Sequence, residues 1–257
     1  GAWMVPFLRL PPALDTREPE AMCLAKGEAP PRTDGHIFGT DDLGRDLFSR
    51  IIYGARMSIL VAVGSVLLGG FLGIIVGLVS GYSGGIVDSV LMRIVDGMLS
   101  FPFILLSILL VTILGSGVFN VILAIGISNV PRFARVVRGQ VLVVKNEEYC
   151  NAERVLGAST PRIMFKHILP NTVSEVVVYA TLNIGSAIIS EASLSFLGLG
   201  FLVPEASWGN ILRGGRTCLT TAPHIATISG LFIFLAFLGF NLMGVWILDV
   251  IHPNIQR

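Results

Sequence analysis

From Thr217 to Leu248 the chain carries no Asp, Glu, Lys or Arg, and from Met57 to Pro131 it carries three, Asp88, Arg93 and Asp96. Nothing else in the sequence restricts the fold as strongly. A helix crossing a bilayer needs roughly 20 consecutive, mostly apolar residues, which these stretches supply more than once. Composition agrees: 53% of the 257 residues are hydrophobic and 14% are charged, against about a quarter charged in an ordinary soluble domain. The charge is also unevenly placed, since residues 1–50 hold 14 of the 18 basic and 17 acidic side chains. The fold class predicted is an all-α, multi-span integral membrane protein.

Several functional classes drop out. Cys23, Cys150 and Cys218 are too dispersed for a CxxC metal site or a disulfide framework. No glycine-rich loop ends in Gly-Lys-Ser/Thr, so the chain does not bind ATP in that way. A net charge of +1 says nothing about nucleic acid either way. Gly1–Leu8 is too short, and lacks the basic leader, to be a signal peptide.

Residues 1–56 read as an extramembrane leader, irregular over 1–36 where Pro11, Pro12, Pro19, Pro30 and Pro31 fall. Within it, 41–56 reads as an interfacial helix, because Leu43, Leu47, Ile51 and Ile52 recur at helical spacing among Arg45, Asp46 and Arg50. Asp41 or Asp42 is the expected cap of that helix. Residues 57–257 form the membrane domain, with spans expected at about 57–80, 90–114, 118–138, 172–196 and 222–248. Gly64, Gly69, Gly70, Gly73 and Gly77 in the first suit close helix approach in lipid. Pro102 is expected to bend the second span, and Arg93 and Asp96, three apart, to pair with each other.

Orientation follows from the section 132–170, where seven basic residues face three acids, the bias of a cytoplasmic loop. Counting spans from there puts the C-terminus inside and 1–56, 115–118 and 197–221 outside. Residues 1–50 do not oppose this, since six basic side chains are set against eight acids. A leader of that length outside implies an earlier span, and Gly1–Leu8 reads as the tail of one.

The section 139–170 reads as helix, break, helix. Glu147, Glu148, Tyr149, Ala152, Val155 and Leu156 belong to the first helix, and Gly157 stops it in a left-handed conformation. Thr160 is the expected N-cap of the second, with Pro161 at its first position. Pro170 marks the turn into the next span. A short helix of mixed character projecting from a bundle suits docking to another protein.

Four ordered stretches then carry a resemblance: Phe38-Gly39-Thr40-Asp41-Asp42-Leu43-Gly44-Arg45-Asp46; Glu148 through Ser159 with His167-Ile168-Leu169-Pro170-Asn171; Glu191-Ala192-Ser193-Leu194-Ser195-Phe196-Leu197-Gly198-Leu199-Gly200; and Trp208-Gly209. From about His36 to Pro253 they resemble the C-type permease of the dipeptide, oligopeptide and nickel group of binding-protein-dependent ABC importers. The section 139–170 is similar to that family's coupling loop. One departure stands out: the family's Glu-Ala-Ala falls on Asn151-Ala152-Glu153, so its acid lies two positions later.

The resemblance implies the type I ABC importer transmembrane fold, with five of the family's six spans present and the first missing. It implies a B-type sister permease, two ABC ATPase subunits, an extracytoplasmic solute-binding protein and a bilayer as partners, with no nucleic acid. It also implies no catalytic residue and no cofactor or metal on this chain, the ATP and Mg being used by the ATPases, and an inner-membrane location. The residues implied to couple are Glu148, Ala152, Glu153, Arg154, Gly157, Ala158, Pro161, Leu169 and Pro170, with Ala152–Pro161 as the coupling helix. Glu191, with Ser195, has two readings: lining the pathway or meeting the sister permease, or a structural bond near the end of its span. Trp208, Arg213 and Arg216 are candidates for touching the binding protein. Peptides, or nickel chelates in a second reading, are the expected cargo. A truncated, non-transporting scaffold and an ion-driven secondary transporter are the alternatives from other classes.

Overall fold

The computed structural model describes residues 37–41, 44–200 and 206–251, together with Pro31. The expectations placed on most of 1–36, on Asp42 and on Leu43 lie outside the described residues. Four helices are long and apolar enough to cross a membrane: Leu47–Ser83 (α1), Val118–Val144 (α4), the continuous stretch Thr160–Phe196, and Pro223–Val250. The last belongs to α9, Pro223–Ile251. A fifth crossing arises if Gly85–Leu99 (α2) and Phe103–Leu114 (α3), bent by 91° at their junction, are taken as one. Pro102, extended at φ −54° and ψ 132°, ends the helical path there, and lacks the N–H a continuing helix would use.

The interfacial helix expected over 41–56 is not a separate element. Helix α1 begins at Leu47 and runs unbroken for 37 residues, because no proline or turn sequence interrupts it. Its cap is Asp46, whose Oδ2 accepts from the Ser49 N–H at 2.8 Å. Asp41 is committed elsewhere. Its Oδ1 accepts from the Arg45 N–H at 2.9 Å and its Oδ2 from Arg45 Nε at 2.7 Å, with Arg50 Nε 3.3 Å away. Gly39 and Gly44 take positive φ in this closed turn.

The seam between α1 and α4 is built on missing side chains. A Cβ on Gly69 would stand 2.6 Å from the Gly126 carbonyl oxygen, and one on Gly77 2.6 Å from that of Ala134. Gly73 meets Phe133 just as closely. Spaced four apart, these glycines let two backbones approach as they do in lipid, where association depends on van der Waals contact. Helix α2 is tied to the same pair. Arg138 donates through Nε and Nη2 to both Asp88 oxygens at 2.6 Å, and Ser80 of α1 donates to Asp88 as well. Asp96 pairs with Arg135 at 2.6 Å across helices, and not with Arg93, three residues away on its own helix. Arg93 points outward and is exposed.

Pro170 does not turn the chain. The helix Thr160–Arg162 (α6) passes through a π-helical segment, Ile163–Ile168, into Leu169–Phe196 (α7) without a break. In a regular helix the Pro170 ring would collide with the carbonyl four residues back. Widening the preceding turn to i→i+5 bonding, as in the Leu169 N–H to Met164 carbonyl bond, makes room for it.

Candidate coupling site

Between α4 and α6 the chain leaves the bundle as Glu148–Val155 (α5). Helix α5 ends in a Schellman arrangement: the Gly157 N–H donates to the Arg154 carbonyl and the Ala158 N–H to that of Glu153, both at 3.0 Å. Gly157 takes φ +78° with open space around it. Glycine is therefore required by backbone conformation here and not by crowding. The expected coupling helix, Ala152–Pro161, is divided by this turn into the end of α5 and the start of α6. The N-cap of α6 is Ser159 and not Thr160, so Pro161 falls at the second helical position. A one-residue shift follows because Ser159 is the last residue with extended angles.

Two kinds of contact seat α5. Cys150 is its buried anchor, in the same apolar cluster as Ile163 and Ile168 of the π segment. Burial pushes the Cys150 thiol above its ordinary range, and the same cause raises Tyr149. Polar contacts form the rim. His167 Nε2 lies 3.4 Å from Glu153 Oε1, an ion pair when the imidazole is protonated. The Arg154 guanidinium sits 5.8 Å from the centre of the Tyr82 ring at the end of α1, and donates to Asn151 Oδ1 at 3.1 Å. Lys145 Nζ donates to the Gly81 carbonyl at 2.7 Å, tying the end of α4 to the end of α1.

The outer surface of the loop is apolar where nothing in the chain requires it. Val155 is 88% exposed and Leu156 81%. Tyr149 and Phe165 are exposed beside them. Glu148, Ala152, Arg154, Gly157, Pro161 and Pro170 are exposed, while Glu153, Ala158 and Leu169 are partly covered. Large apolar groups held out on a rigid, capped turn and ringed by charge make a surface shaped for another protein.

Glu191 and Ser195 lie toward the other end of α7. Both are fully buried, and Ser195 Oγ donates to Glu191 Oε1 at 2.7 Å. Trp208, which opens Trp208–Thr217 (α8), is also buried, whereas Arg213 and Arg216 are exposed. His167, Tyr82 and Cys150 were missed as site residues. The His167 position, 14 after Glu153, shows its partner only once the π segment is known.

Comparison with known proteins follows the same lines. Residues 72–257 match the family model described as binding-protein-dependent transport system inner membrane component. The glutathione transport system permease protein GsiD of Pectobacterium atrosepticum is 45% identical over 224 residues, covering 87% of this chain and 74% of that protein. GsiD of Escherichia coli O6:K15:H31 is 47% identical over 221 residues, covering 86% and 73%. In fold, an inward-facing form of the MetNI methionine ABC transporter superposes with a TM-score of 0.59 at 20% identity, over 76% of this chain and 95% of that one. An amino acid ABC transporter structure with histidines gives 0.58 at 15% identity, over 78% and 91%. The spans, the bundle and the projecting loop thus find their common explanation: the chain belongs to the binding-protein-dependent transport system inner membrane component family, the ABC importer permeases whose ATP hydrolysis resides in separate subunits.

Proposed function

We propose that this chain forms half of the translocation pathway of an importer for glutathione-like small peptides, and that residues 148–170 receive the ATPase. The observation carrying the proposal is the exposed pair Val155 and Leu156 on the Schellman turn. The pair needs a covering partner, and the backbone geometry holds it out to meet one. Glu148, Glu153 and Arg154 supply the polar contacts around it, and Gly157 and Ala158 permit close approach. Leu169 and Pro170 join the loop to α7, so a pull on α5 reaches the membrane helix directly. The displaced acid of the loop, Glu153, steadies α5 against His167.

The partners are a B-type sister permease, two ATPases and an extracytoplasmic solute-binding protein. The chain sits in the inner membrane with the coupling loop and C-terminus on the cytoplasmic side, as the basic section 132–170 indicates. ATP-driven closure of the ATPases would switch the helix bundle between two orientations around the cargo. Peptide cargo is supported by the 45–47% identity to glutathione permeases.

The test is uptake of labelled glutathione, a dipeptide and a nickel chelate by cells carrying the intact gene cluster. Glutathione or dipeptide uptake that ends on deletion of the linked ATPase gene supports the proposal. Uptake unchanged by that deletion, or of nickel alone, refutes it. Gly157→Asp should leave the protein in the membrane and abolish cargo-stimulated ATP hydrolysis, since it puts a charged side chain on the turn proposed to seat against the ATPase, at a φ of +78° that favours glycine.

A further inference from the structure

Glu191 is a carboxyl with no exposed surface, and among the described residues no cation pairs with it. Its surroundings are hydroxyls drawn from three elements. Ser195 of α7 donates to Oε1. Ser58 of α1 and Ser207, the cap of α8, also stand against the carboxyl. Oε2 is buried with no hydrogen bond of good geometry.

Those hydroxyls do more than solvate Glu191. Ser207 Oγ accepts from the Asn210 N–H at 3.2 Å and starts α8. Ser58 Oγ accepts from the Trp208 N–H at 3.4 Å. The Trp208 indole N–H donates to the Ile51 carbonyl of α1 at 3.0 Å, and the Trp208 carbonyl accepts from Ser229 of α9 at 2.8 Å. Packing enforces the same seating: a Cβ on Gly209 would lie 2.6 Å from both the Ala192 carbonyl oxygen and Ser195 Cβ. Four helices therefore meet at one polar node. A buried carboxyl is costly unless its hydrogen-bonding capacity is used, so lifting α8 away would strip several groups at once.

We infer that Glu191 is a positioning residue for transport, fastening α8 across the ends of α1, α7 and α9 so that this end of the bundle moves as one body. The inference builds on the permease function. The carboxyl acts through hydrogen bonding and shape, because hydroxyls and not cations surround it. An isosteric amide should therefore replace it.

The complete importer in proteoliposomes, carrying wild-type chain, Glu191→Gln, Glu191→Ala or Ser195→Ala, tests this. Uptake with Glu191→Gln should stay within about twofold of wild type, whereas Glu191→Ala should lower it about tenfold, the scale of one lost buried hydrogen bond. Hydrogen exchange over residues 207–217 should accelerate in Glu191→Ala and, to a lesser degree, in Ser195→Ala, with ATPase co-purification unchanged. Equal losses in Glu191→Gln and Glu191→Ala would overturn the inference by showing that the charge is needed. Wild-type exchange and uptake in Glu191→Ala would overturn it too. Should Glu191→Ala fail to accumulate, Ser195→Ala decides: faster exchange at normal membrane levels supports the node, unchanged exchange overturns it. Exchange is read without ATP, so it stands even if the wild-type complex shows no ATP-dependent uptake, the result that would instead defeat the permease function.

Discussion

At one end of the helix that ends at Phe196, Val155 and Leu156 stand almost wholly in the open, and the charged groups around them meet at partial exposure. At the other end, some 40 Å away along 28 residues of α7, Glu191, Ser195, Ser207 and Trp208 are buried and bonded to one another or to adjoining helices. The first region is left open by the chain, and the second is enclosed by it. An unfinished apolar surface on a rigid turn calls for a second protein. An enclosed polar node, with hydrogen bonds running between helices, favours one arrangement of those helices. Between the two, the glycine seam of α1 and α4 brings two backbones into close contact.

Attacking the open end should have the largest effect. Val155→Asp with Leu156→Asp places two carboxylates where the account puts a covered apolar contact, and ATPase affinity should fall about a hundredfold. Co-purification in mild detergent reads this, and the permease itself should remain as stable as wild type. Breaking the connection comes next. Gly77→Leu puts a side chain where even a Cβ lies 2.6 Å from the Ala134 oxygen, and overpacking of this kind costs about 1–3 kcal/mol. Thermal stability in detergent should drop while cargo-independent ATPase binding is less affected. Smaller again is the rim contact of α5. Glu153→Ala and His167→Ala should each lower stimulated ATP hydrolysis about two- to threefold, as a partly exposed pair is worth up to roughly 1 kcal/mol. The double variant should be no worse than either single one; additive losses would show that the two residues act separately. A reactivity contrast checks the burial difference itself and leaves transport untouched. With its thiol raised by burial, Cys150 should resist maleimide at neutral pH, where a cysteine replacing Leu156 should react at least about tenfold faster.

The sequence shows best what depends on neighbours along the chain. The glycine stripe of α1, the stop at Gly157 and the break at Pro102 follow from local conformational rules, and the structure has all three. Harder were features decided across helices. Asp96 has Arg93 three residues away, yet Arg135 of α4 takes it because the α1–α4 seam brings α2 alongside. Asp46 and not Asp41 caps α1, since Asp41 is held by Arg45 and Arg50 in the preceding turn. Pro170 reads locally as a stop, and the π segment that absorbs it leaves no periodic trace. Glu191 was legible as costly in an apolar run, but its direction was not. Its burial follows from the seating of α8, which no local pattern reveals.

The central claim is that the Val155–Leu156 turn is where the ATPase engages. A photo-crosslinking residue at position 156, and in a separate chain at position 212 of α8, measures it in the assembled complex. The account predicts an adduct with the ATPase subunit from position 156 and none from 212. An ATP-hydrolysing complex that gives no adduct from 156, or gives one from 212, would contradict it.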